Sequence, residues 1–175
     1  MAETVSGQTP FGFITTFKGA TKSFDGSVSL YGSNGSITFV SKDEVEKNRD
    51  LIEKYKVIFT KAAPGGGSSD KNGMYLLLSS LQIIRPNEVC TQTFLVGDSF
   101  DNNMEALNCM NYLKCKFTRF LILQSMTSQD LSPERFRFVP LQDFTLPWTD
   151  ADLYAKYGLT DDEIAFIESM IKPME

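Results

Sequence analysis

"DNNMEALNCMNYLKCKFTRFLILQSM", Asp101 to Met126, is the longest helical stretch of the chain. Apolar side chains recur in it at three and four residues, through Met104, Leu107, Met110 or Asn111, Leu113 or Lys114, Phe117, Phe120 and Leu121. Asp101 is placed to cap it, and the pattern predicts one helix of about six turns.

Towards the N-terminus the pattern changes to that of strands. "PFGFITTF" (Pro10–Phe17) reads as a strand, and "SVSLYGSNGSITFVS" (Ser27–Ser41) as a hairpin turning at Ser33–Gly35. "SKDEVEKNRDLIEKY" pairs Ser41 with Glu44 as a capping box, and Val45, Leu51, Ile52 and Tyr55 predict a helix with one apolar side. Further strands are expected at "KVIFTKA" (Lys56–Ala62), "LQIIRP", "CTQTFLVG" and "RFVPL". Between them "PGGGSSDKNG" (Pro64–Gly73) is a flexible loop by composition.

Towards the C-terminus the signals are helical and explicit. Thr149 caps a helix through Tyr157, with Asp152 at the capping-box position and Gly158 as the stop. Thr160 and Glu163 repeat the motif for a second helix that Pro173 ends. Trp148 with Leu153, and Leu159 with Ile164, occupy hydrophobic-staple positions.

A chain of 175 residues with 42% apolar side chains is long enough to bury a core. No apolar run reaches the length of a membrane span and no signal peptide is visible. Cys90, Cys109 and Cys115 form no CxxC pair, which predicts reduced thiols in a cytoplasmic protein. The net charge of −5 is uneven. Residues 143–175 carry eight acids against two lysines, whereas residues 1–142 carry 15 basic and 14 acidic side chains. The division expected is a body, residues 1–142, and an acidic helical tail, residues 143–175, packed on the body or on a neighbouring domain.

Several chemistries are excluded. With no histidine, Ser-His-Asp and Cys-His catalysis are absent, as are most zinc sites. No Asp or Glu is followed two residues later by Lys, which removes the metal-holding triplet of many nucleases. The Gly-rich loop lacks the spacing of a phosphate-binding P-loop. There is no Pro-Pro, so the Asn/Asp-Pro-Pro-aromatic motif of an amino-methylating enzyme is missing.

"PFGFITTFKG", "KYKVIFTKA", "EVCTQTFLVGDSF", "EALNCMNYLKCKFTRFLILQSMTSQDLSPERFRFVPLQDF" and "WTDADLYAKYGLTDDEIAFIESMIKPM" occur in this order. Together, from about Thr9 to Met174, they resemble the C-terminal part of bacterial adenine-specific DNA methyltransferases of restriction–modification systems, including fused type IIG enzymes. "CKFTRF" and "TSQD" depart slightly from that pattern, as a member of different DNA specificity would. The resemblance implies a target-recognition domain of α+β (mixed α/β) fold, with strands and loops against double-stranded DNA and a long helix packed behind. It also implies a methylase domain upstream that would use S-adenosylmethionine, with no cofactor and no catalytic residue in this chain.

The residues then expected to meet DNA are Lys18 and Lys22 beside the first strand, with Thr15 and Thr16, and Lys61 and Lys71 around the Gly/Ser loop. Arg119 on the long helix is a phosphate or base contact, or else a cationic rim to a core helix. Thr127, Ser128 and Gln129 offer donors and acceptors to base edges, and Arg135 and Arg137 suit phosphate or guanine. In "CTQTF", alternation puts Thr91 and Thr93 on one face and Gln92 and Phe94 on the other, and Gln92 reads as structural. A second expectation is a protein-interaction module that docks a methylase or nuclease subunit without touching DNA.

Overall fold

The computed structural model describes residues 1–174 and has a mixed α+β fold of two three-stranded sheets and four helices. The strands are β1 (Ser27–Tyr31), β2 (Ile37–Ser41), β3 (Tyr55–Thr60), β4 (Gln82–Ile84), β5 (Glu88–Cys90) and β6 (Phe94–Phe100). The helices are α1 (Asn103–Lys114), α2 (Lys116–Leu123), α3 (Asp150–Tyr157) and α4 (Asp161–Met170). One sheet has the order β2-β1-β5, with β1 antiparallel to β2 and parallel to β5. The other is β4-β3-β6, antiparallel throughout.

Alternation along β3 and β6 explains how the layers stack. Val57, Phe59 and Leu95 join a cluster with Ala106, Cys109 and Leu113 of α1. Ile58, Phe94 and Val96 point the other way, into a cluster with Val28, Leu30 and Val40 of the first sheet. The β4-β3-β6 sheet is therefore buried on both faces, between the other sheet and the helices. Lys56 shares that burial. Its ammonium donates to the carbonyls of Leu51, Ile52 and Arg85 at 2.9, 3.1 and 3.0 Å, and loss of solvent lowers its pKa to about 8.

Five of the expected elements take another form, among them the strand expected at "CTQTFLVG", which is interrupted by a turn between β5 and β6. The long helix is two helices, broken at Cys115 where ψ is 141°. The cap of α1 is Asn102, whose side chain accepts from the Glu105 N–H, and not Asp101. The break is held by Asp150, whose carboxylate accepts from the N–H groups of Lys116 at 3.0 Å and Phe117 at 2.8 Å. A helix N-terminus leaves such donors free, and a carboxylate there also opposes the helix dipole favourably.

Pro10–Phe17 is not a strand. Phe11 and Phe13 are buried between the sheets, but the backbone closes turns instead of a ladder. The Ser41–Glu44 capping box forms, yet only short 3-10 turns follow, at Lys42–Glu44 and Arg49–Leu51, because Asn48 at φ 48° turns the chain. "RFVPL" lies in irregular chain after a 3-10 turn at Pro133–Phe136.

The C-terminal helices have the capping boxes Thr149–Asp152 and Thr160–Glu163 and the left-handed Gly158 stop. They pack onto α2, and Leu153, Ile167 and Ile171 belong to the same core cluster as α1. Lys116 pairs with Glu168, and Tyr75 bonds to Met170 and Lys172 through the backbone. No described helix is long and apolar enough to cross a membrane.

Candidate nucleic-acid interface

The β1–β2 hairpin, the segment Thr15–Lys18 and the chain just after β5 enclose a cleft of about 380 Å³. The hairpin turn is tight because Asn34 and Gly35 take φ of 55° and 71°. The opposite wall is strapped to the edge of β2, where Ala20 exchanges both backbone hydrogen bonds with Phe39 at 2.8 and 2.9 Å. Gly19 permits that approach, since a Cβ there would lie 2.5 Å from the Phe39 carbonyl oxygen.

Six hydroxyl-bearing residues line this space, Thr15, Thr16, Ser33, Ser36, Thr38 and Thr91. Lys18 is the one charged side chain of the lining among the described residues. Phe17 lies in the wall and stacks at a tilt on Phe13, centroids 4.8 Å apart. Lys22 is exposed on the following loop.

A second group of expected residues gathers around the Gly loop. Ala62 and Asp130 form a bridge, Ala63 donates to the Gln129 carbonyl at 2.9 Å, and Leu131 donates to that of Lys61 at 2.8 Å. The pairing sets Lys61 and Gly65–Gly67 against Ser128 and Gln129. Gly65, Gly66 and Gly67 all have positive φ, and a Cβ on Gly67 would meet the Met126 methyl at 3.0 Å. Lys61 is held by Asp130 at 3.3 Å, which offsets part of its charge.

Thr93 joins the two groups. Its carbonyl accepts from the Lys61 N–H at 2.9 Å, and its hydroxyl meets that of Thr15 at 3.5 Å and that of Thr91 at 3.0 Å. Residues 91–93 turn between β5 and β6, closed by the Phe94 N–H on the Thr91 carbonyl at 3.1 Å. The simple alternation expected for "CTQTF" therefore does not hold. Gln92 is half-buried, and its N–H bonds to Phe13 at 2.8 Å.

The remaining candidates fall elsewhere. Arg119 is fully buried. Its Nε donates to the Lys114 carbonyl at 3.0 Å, and its Nη1 to those of Leu76 at 3.2 Å and Lys172 at 2.7 Å. A guanidinium so enclosed has no face for DNA and is neither a base contact nor a rim residue. Burial lowers its pKa to about 10. Arg135 is half-buried, with Nη1 on the Ser125 carbonyl at 2.8 Å and Nη2 on the Ser128 hydroxyl at 3.3 Å. It braces the 127–129 loop. Arg137 is exposed, paired with Glu134 at 2.6 Å and set over the Phe138 ring. Lys71 is exposed at the far end of the Gly/Ser loop, beside Asp70, which pairs with Lys172. Thr127 is exposed beside the second group.

Ser33, Ser36 and Thr38 were not singled out by sequence, although a serine-rich hairpin turn is a visible signal once its neighbours are known. An array of hydroxyls with one ammonium donates and accepts hydrogen bonds and attracts anions. No described group of three His, Cys, Asp or Glu side chains could hold a metal ion. Family models, curated proteins and solved structures yield no match to this chain.

Proposed function

We propose that the chain is a DNA target-recognition domain that acts in the cytoplasm and directs a methylase domain, the holder of S-adenosylmethionine, to its site. The observation that supports this most is the acid-free, hydroxyl-lined cleft with Lys18 in its wall, continuous through Thr93 with the Lys61 and Ser128–Gln129 group. Ser and Thr hydroxyls and lysines are the groups that bind phosphate and sugar, while amides and hydroxyls read base edges. Asp43, Glu44 and Glu46 line a neighbouring hollow that shares Phe17 with the cleft, and Asp130 pairs with Lys61, so acids flank this surface without entering the cleft's own lining.

Duplex binding by fluorescence anisotropy tests the reading. Affinity should fall steeply with salt, because each neutralised phosphate releases counterions, with a slope contribution of about 0.9 per contact. Lys18→Ala and Lys22→Ala together should lower the slope by about 1–2 and weaken all sequences similarly. Absence of duplex binding at low salt, or a slope unchanged in the double variant, would overturn it.

A further inference from the structure

A second concave surface lies between α2 and α4, lined by none of the residues of the Lys18 cleft. Helices α2 and α4 flank an open groove of about 470 Å³, lined by Phe117, Phe120, Leu121, Leu159, Phe166 and Ile167. On α2 the residues 117, 120 and 121 stand at i, i+3 and i+4. On α4 the residues 163, 166 and 167 repeat that spacing, so each helix turns one continuous stripe to the gap. Phe166 is 54% exposed, and its ring meets Phe120 edge-on at 5.9 Å. Such a trough between two helices is the shape that a third helix fills.

The rim decides what kind of helix. Asp162 and Glu163 line the groove, Asp161 is exposed beside them, and no Lys or Arg is part of the lining among the described residues. The carboxylates lie in the first turn of α4. An anionic occupant, whether nucleic acid or an acidic membrane, would be repelled there. We infer that the α2–α4 groove docks a basic amphipathic helix of a partner protein, with apolar anchors against Phe120 and Phe166 and Lys or Arg beside Asp162 and Glu163. The inference stands apart from the DNA reading, which concerns a different surface.

The probe is a fluorescein-labelled Leu/Lys amphipathic peptide of about 18 residues, or five turns, with a Leu/Glu peptide of the same pattern as its counterpart. Anisotropy with the full chain should show saturable binding of the first and none of the second. Phe166→Ala should weaken binding about tenfold. Asp162→Asn with Glu163→Gln, which keeps a capping-box side chain, should weaken it by about fivefold. Thermal melts verify that the variants are folded, as expected for an exposed ring. Duplex affinity of Phe166→Ala should be unchanged. The inference is overturned if the Leu/Lys peptide does not bind, if both peptides bind equally, or if Phe166→Ala binds as the parent does. It is also overturned if a folded Phe166→Ala loses duplex binding. A dimer in sedimentation that Phe166→Ala dissociates would overturn it in favour of a second copy. Binding to phosphatidylserine vesicles lost in the same variant would do so in favour of a lipid surface.

Discussion

Arg119 shows how residue type and residue role part company. On a helix, beside two phenylalanines, an arginine is ordinarily a surface cation whose stem covers apolar neighbours. Here the break at Cys115 rotates it inward, and three carbonyls from different segments replace its water. Arg119→Met removes those donors and leaves the carbonyls of Lys114 and Lys172 without the guanidinium, so the chain should lose about 3 kcal/mol of stability in urea unfolding. Arg119→Lys should fall between, since one ammonium does not match the spread of a guanidinium. A folded Arg119→Met with a lower salt slope for DNA would contradict this assignment. The thiols make a similar case. Cys90, Cys109 and Cys115 are free and buried, and loss of solvent holds all three above the ordinary thiol range, Cys90 and Cys115 at about 12. Ellman's reagent at pH 8 should therefore titrate none in the native chain and all three in guanidinium. The contribution of Cys90 and Cys115 is complete below the unfolded value of 9.0 and is lost as pH rises towards about 12, and that of Cys109 has the same sign.

Among the elements, those whose signals are local were legible. The two capping boxes and the Gly158 stop lie within four residues of the ends they define, and the β1–β2 hairpin carries its own turn. The break between α1 and α2 was not legible, because its cause is Asp150, 34 residues from Lys116. Nothing in "NYLKCKFTRF" itself ends a helix. Asp150→Ala should destabilise the chain by about 1–2 kcal/mol, as removal of a helix cap does, with the loss concentrated in amide exchange of the first turn of α2. Asp150→Asn should restore part of it. Exchange unchanged at Lys116 and Phe117 would rule out the capping role. Pro10–Phe17 failed for the opposite reason. Its period of two reports burial of Phe11 and Phe13, and burial alternates in irregular chain as well as in a ladder.

Over the whole molecule, the candidate surface was half legible. Lys61, Ser128 and Gln129 meet through pairings that only the fold creates, with Thr93 linking them to Thr15 in the wall that carries Lys18, and Arg119 left the set because burial is a property of the packed chain. The acidic tail is likewise part of the body's core. Leu153, Tyr154, Ile167 and Ile171 are buried in it, each stabilising by roughly 1.5–3 kcal/mol, together on the order of 6–12. That is comparable with the net stability of an ordinary domain. A chain truncated after Gln142 should therefore fail to fold cooperatively, seen as loss of a sharp melting transition. A truncated chain that melts like the parent would show that the tail is separable. Surface substitutions on α4, and not deletion, are then the way to separate docking from DNA binding.

The bond from Arg119 to the Lys172 carbonyl has a consequence during synthesis. The two residues are 53 positions apart. At about 5–20 residues per second, Arg119 is added to the chain roughly 3–10 s before its last acceptor is made. Through that interval it must stay hydrated, and the face of α2 around it must stay open. The nascent chain thus waits for the segment after α4, which closes on Tyr75, before the core can dry.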